Sequence, residues 1–203
     1  MILVISIFIM QFMKNSFVEV GAFDGQTNSS TAVLADSGWR GIYIEPIGEF
    51  ALKCKERHQH NDVKVIPVAI SDREENIILF PFGQLTTANP DMKDAWSDER
   101  FRVFTAVPDW QEPRLIRAYR LDSLIQESPD LLVIDTEGME LKVLQGMGNL
   151  LPKKIIIETH EGSEKWNFEW KQELRNAIEK LLDKKGYKKV SFDDTNTVYE
   201  LQN

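Results

Sequence analysis

Two glycines four residues apart, Gly21 and Gly25, follow an acid, Glu19, that lies in the short apolar run Phe17–Val20; a second apolar run, Ile42–Glu45, ends in one carboxylate. Glycine beyond a strand lets backbone approach a ligand, and a carboxylate about twenty residues further on can accept hydrogen bonds from a ribose diol. The pair describes a nucleotide site. Two further acid clusters end apolar runs in the same way: Asp135, Glu137 and Glu140 after Leu131–Ile134, and Glu158, His160 and Glu161 at the close of Lys154–Glu158. Carboxylates and a histidine gathered on such a rim are candidate general bases.

These groups can meet only if the runs carrying them are neighbouring strands, and the order of elements predicts that they are. Phe17–Val20, Ile42–Glu45 and Val63–Ile70 read as strands, separated by helical stretches at Thr27–Asp36 and Pro46–Gln59, the latter opened by its proline. Three β-α steps in succession imply a parallel sheet with right-handed crossovers. Ile77–Phe82 and Leu115–Leu121 read as extra strands, and Leu131–Asp135 and Lys154–Glu158 as buried ones. Leu141–Leu150 and Trp170–Lys185 read as helices, and Tyr187–Phe192 with Thr197–Leu201 as a terminal hairpin turning at Asp193–Asn196. The expected fold is α/β, a mostly parallel sheet closed by an antiparallel hairpin.

At 203 residues the chain is one domain's worth, with a predicted division into an apolar segment, 1–15, and one domain, 16–203, carrying a substrate-side insertion at 83–113. Asp plus Glu number 32 against 24 Lys plus Arg, a formal charge of −8, and no basic run is present to track a phosphate backbone; nucleic acid is not an expected partner. The one cysteine, Cys54, cannot pair within the chain and points to a reducing compartment or to indifference to redox; a cytoplasmic setting is expected. Residues 1–13 are strongly apolar yet too short to span a bilayer as a helix. A segment docked on the domain is the favoured reading, ahead of a membrane or oligomer contact. His58 and His60, in a helix-terminal QHN stretch, read as solvated surface.

The glycine spacing with Glu19 two residues before Gly21 resembles motif I of S-adenosylmethionine-dependent methyltransferases. VEVGAFDG, IEP, PVAISD, LDSL at Leu121–Leu124, IDTEGMEL followed by VLQG, and IIIETH then occur in the order and spacing of the FkbM-type methyltransferases. The resemblance spans about residues 16 to 160. It implies a class I methyltransferase sheet, S-adenosylmethionine as cofactor and methylation of hydroxyl groups, commonly on sugars and natural products. Glu19 stands where many members have Asp, and Phe23 where they often have Asn.

The cofactor's chemistry gives each position an expected role. Its carboxylate suits backbone N–H groups at a helix start, here Gly21 to Thr27, and its ammonium suits Glu19 or a carbonyl. Phe23, Gly25 and Thr27 complete the expected loop; Glu45 is assigned to the ribose, Val68 and Ala69 to adenine. Asp135 is expected beside both cofactor and acceptor. A sugar hydroxyl is barely ionised at neutral pH, so a base must sit within hydrogen-bond reach of it, and Asp135, Glu137, Glu158 and His160 are the candidates. Metal ligation is the less favoured reading of Asp135 and Glu137, because no dedicated ligand motif is present; Glu140 reads as a structural acid at a helix start. Within Gly83–Pro113, Trp96, Phe101, Phe104 and Trp110 suit closure over a carbohydrate or small-molecule acceptor. Two rivals stand beside this reading: a nicotinamide-dependent oxidoreductase, disfavoured by the missing G-x-G-x-x-G, and a non-catalytic scaffold retaining the cofactor fold.

Overall fold

The computed structural model describes residues 15–98 and 111–202. Residues 1–13, and with them Phe101, Phe104 and Trp110, lie outside the described residues. The principal sheet has seven strands: β1 (Ser16–Val20), β2 (Arg40–Ile44), β3 (Val63–Ile66), β7 (Leu131–Ile134), β8 (Lys154–Glu158), β9 (Tyr187–Phe192) and β10 (Asn196–Leu201). Their order across the sheet is β3-β2-β1-β7-β8-β10-β9, with β10 antiparallel to both of its neighbours and the other pairs parallel. The expected mostly parallel sheet with a terminal hairpin is the fold observed.

Strand periodicity divides the core between the two faces. Val18, Val20, Leu132, Ile134, Ile155 and Ile157 project to one face, against Ile178 and Leu182 of the long helix α6 (Glu169–Lys184). Phe17, Leu131 and Val133 project to the other, with Tyr43 and Cys54, the latter on α2 (Gly48–Arg57). Burial on both faces explains why these strands read as continuous apolar runs rather than alternating ones.

The sequence-predicted third strand is interrupted. Pro67 has no N–H to give a ladder, and the chain leaves the large sheet after Ile66. Its continuation, β4 (Ala69–Ile70), pairs instead with β6 (Arg114–Tyr119) in a small sheet completed by β5 (Glu75–Leu79). The first predicted helix is also much shorter than expected: only Ala32–Asp36 is helical (α1). Asp24 holds the chain in a turn by accepting hydrogen bonds from the Gln26 and Thr27 N–H groups, at 2.9 and 2.7 Å, and Asn28 has a φ of 57°. Among the described residues, no helix is long and apolar enough to cross a membrane.

Candidate active site

The order β2-β1-β7-β8 brings the predicted chemistry to one rim. Val20 is level with Ile134, and Ile134 with Ile157, so Gly21 and Asp135, just beyond β1 and β7, stand beside Glu158, the last residue of β8. The chain turns in opposite directions on either side of β1 and β7, which is where open α/β sheets bind ligands. Three non-glycine residues of this rim have left-handed backbone: Phe23 (φ 48°), Glu137 (52°) and His160 (54°). Such conformations cost about 1–3 kcal/mol each and gather at functional loops.

Two adjoining cavities open there. The larger, of about 730 Å³, is lined by Glu19, Gly21, Phe23, Thr27, Asp135, Glu137 and Glu158 together with Trp96 and the hairpin turn Asp193–Asn196. The smaller, of about 60 Å³, is lined by Glu45, Val68 and Ala69, with Ile77 and Leu79 of the small sheet opposite. Gly21, Phe23, Asp135 and Glu137 border both. Glu45 is buried and its carboxylate accepts the Phe23 N–H at 2.9 Å and the Ile47 N–H at 2.8 Å, which ties the glycine loop to the end of β2. Burial pushes its pKa up to about 7 despite those donors.

Other placements differ from expectation. The N–H groups of Gly21, Ala22, Phe23, Gly25, Gln26 and Thr27 are engaged within the loop and by β2, so they do not form the anion-binding helix start that the sequence suggested. Glu19 lines the large cavity but also accepts hydrogen bonds from the Thr31 and Ser29 hydroxyls, so it braces the chain ahead of α1. Gly25 borders neither cavity. It lies against Cys54 and His58, where a Cβ would come within 2.6 Å of the thiol sulfur. His58 is accordingly not solvated surface: it is 2% exposed, stacks on Tyr43 at 4.6 Å and shares a hydrogen bond of 2.8 Å with the Gly25 carbonyl. Glu140 is structural as expected, its Oε1 accepting the Thr136 and Gly138 N–H groups.

The acids crowd one another. One carboxylate oxygen from each of Asp135, Glu137 and Glu158 lies within 4.8 Å of the other two. Burial, then the charges of Glu140 and Glu19, raise Asp135 to about 7; burial, with Asp135 the next largest cause, lifts Glu137 and Glu158 well above the usual carboxylate range. His160 stands behind them rather than in the cavity wall. Its Nε2 is 3.5 Å from Glu158, its ring packs on Trp166 at 4.3 Å, and burial with the nearby Lys171 and Arg175 charges drives its pKa down to about 3.

Residues 19–189 match the methyltransferase FkbM domain family, from the acid before the glycine loop to the terminal hairpin. The chain belongs to the FkbM methyltransferase family. Among solved structures, the FkbM methyltransferase of Methylobacillus flagellatus KT is similar over 94% of this chain, with a TM-score of 0.55 at 16% identity. The chain spans 45% of that protein. A putative rRNA methylase of Clostridium thermocellum is similar over 97% of this chain and 93% of its own, with a TM-score of 0.50 at 13% identity. At such identities the likeness concerns the fold. No curated protein shows a significant sequence match.

Two parts of the FkbM site escape motif reading. The turn Asp193–Asn196 contributes to the cavity because β10 pairs with β8, setting Asn196 opposite Glu158. Lys171 is a fully buried lysine whose charge draws down the pKa values of Asp135, Glu137 and Glu158. A signal for it exists: Lys171, Ile178 and Leu182 share the buried stripe of α6, where a lysine without a task is out of place.

Proposed function

We propose that this FkbM-family chain transfers the methyl group of S-adenosylmethionine to a hydroxyl of a carbohydrate or other small metabolite. The carrying observation is the pair of joined cavities, one narrow and partly apolar, the other wide and acidic, meeting at Gly21 and Asp135. The narrow one suits adenine against Val68 and Ala69, with the ribose diol at Glu45. The methionine tail would pass Gly21 into the wide cavity, beside Glu19 and Asp135.

The remaining wide space, bounded by Trp96, Glu137 and Glu158, suits the acceptor. No lysine, arginine or histidine is among its described lining residues, which favours a neutral polyol over an anionic acceptor. In the reaction the acceptor oxygen forms a bond to the methyl carbon as the carbon–sulfur bond breaks, the electron pair stays on sulfur, and the hydroxyl proton passes to a carboxylate of the cluster. Alignment of oxygen, carbon and sulfur supplies much of the rate. Carboxylates raised towards neutrality are better matched to this proton than ordinary ones.

Calorimetric titration of the full chain with S-adenosylmethionine, S-adenosylhomocysteine and NAD⁺ tests the cofactor half. Binding of the two adenosyl compounds without NAD⁺ is expected; NAD⁺ binding alone would overturn the reading. A screen of neutral, anionic and amine acceptors tests the other half, with product formed only from hydroxyl compounds as the expected result.

A further inference from the structure

We propose that Asp135, Glu137 and Glu158 hold a hard divalent cation, of the Mg²⁺ or Mn²⁺ class, at the floor of the acceptor cavity. Two of these acids come from one loop, but the third arrives from the neighbouring strand β8, and only the fold completes the set. Opposite oxygens around Mg²⁺ stand about 4 Å apart and around Ca²⁺ about 5 Å, so three ligand oxygens within 4.8 Å of one another already span the larger ion and need to close by less than about 1 Å to share the smaller one.

The independent observation is an orphaned atom. Glu158 is 5% exposed and lines the cavity, yet its Oε2 has no hydrogen-bond partner. Burying a carboxylate oxygen with neither donor nor cation is costly. Among the described residues, no cationic side chain donates a hydrogen bond to that oxygen. Among the described residues the cluster receives one indole hydrogen bond, from Trp96 Nε1 to Glu137 at 3.3 Å, and His160 stands at 3.5 Å from Glu158. Lys171 lies over the rings of Trp166 and Trp170, at 5.4 and 5.7 Å, and its Nζ donates no hydrogen bond to the three acids. The wide cavity leaves the remaining coordination positions to water or to an acceptor hydroxyl, which a divalent ion would both orient and acidify. That last role rests on the proposed methyl transfer; the binding itself does not.

The test is a Mn²⁺ titration of the chelator-treated full chain at pH 8, following the loss of the free-ion electron paramagnetic resonance signal. One Mn²⁺ per chain is expected, displaced by Mg²⁺, with binding at least about tenfold weaker in Glu158→Gln and in Asp135→Asn. Thermal melts accompany each titration, and a Mn²⁺-dependent rise in Tm is expected in the unsubstituted chain alone. Absence of uptake at millimolar Mn²⁺, or equal uptake by wild type and whichever variant folds, would overturn the site. Calorimetry with S-adenosylhomocysteine in chelator keeps the two readings apart: cofactor binding without Mn²⁺ uptake removes the metal and leaves the methyltransferase, and Mn²⁺ uptake without cofactor binding does the reverse.

Discussion

A methyl group added to Gly21 would lie 1.6 Å from the carbonyl oxygen of Asp135, so the ends of β1 and β7 touch where the two cavities meet. The position also has a φ of 89°, which disfavours any side chain. Gly21 is therefore what allows the ends of β1 and β7 to approach where the cavities meet.

Gly21→Ala and Gly25→Ala should separate binding from packing. Both are strained, and each should lower stability by about 2 kcal/mol or more in urea unfolding. Gly25 touches Cys54 and His58 rather than either cavity. Under conditions where both variants remain folded, Gly25→Ala should keep its affinity for S-adenosylhomocysteine within a few fold, while Gly21→Ala loses it. Equal losses would mean that the loop acts as one unit.

Glu45→Ala removes the proposed diol acceptor and also frees the Phe23 and Ile47 N–H groups. Charge-assisted hydrogen bonds are worth about 1.5–3 kcal/mol each, so cofactor binding should weaken by roughly tenfold to a hundredfold in calorimetry. An unchanged Kd would refute the ribose assignment.

The raised carboxyls predict an inverted pH dependence of stability. A carboxyl with a higher pKa folded than unfolded binds more protons in the native state, so its contribution is present below the unfolded value and is lost as pH rises through the folded one. For Asp135 and Glu45 that window runs from their ordinary values, 3.8 and 4.5, to about 7. Glu158 shifts the same way, while His160, lowered to about 3, acts oppositely and favours folding as pH rises towards 6.5. In chelator, Glu158→Gln should therefore exceed wild type in stability at pH 8, with the difference shrinking at pH 4. A difference independent of pH in urea unfolding would show that Glu158 is not held in a raised state.

Lys171→Met should move the acids further upward, because the Lys171 charge draws all three down. Carboxyl carbon resonances of a ¹³C-labelled sample, followed against pH, give the readout without an acceptor. Titration of the Asp135, Glu137 and Glu158 signals at higher pH than in wild type is the expected result; unchanged midpoints would show that Lys171 does not act on the cluster.

Much of this arrangement is legible in the sequence, because strand order and strand-end acids are local signals. Glu19, Gly21, Glu45, Val68, Ala69, Asp135 and Glu137 all border the two cavities, as their positions within or at the ends of apolar runs suggest. What could not be read there depends on partners distant in the chain. Thr27 belongs to an Asp24-centred turn rather than a helix, since side-chain acceptors compete with helical hydrogen bonds. His58 is buried because Tyr43 and Gly25 enclose it, 15 and 33 residues away. Glu158 joins Asp135 through strand register, and Lys171 reaches their neighbourhood through the docking of α6.

The interruption at Pro67 also divides the cofactor's expected contacts between separate structural layers. Glu45 follows a strand of the large sheet, whereas Ala69, Ile77 and Leu79 belong to the small one. An adenosyl group seated between them would act as a splint, adding to the core contact that Ile70 of β4 already makes with the large sheet and coupling the local opening of the two more tightly. Amide hydrogen exchange in β4, β5 and β6 should then slow on addition of S-adenosylhomocysteine, including at residues remote from the ligand.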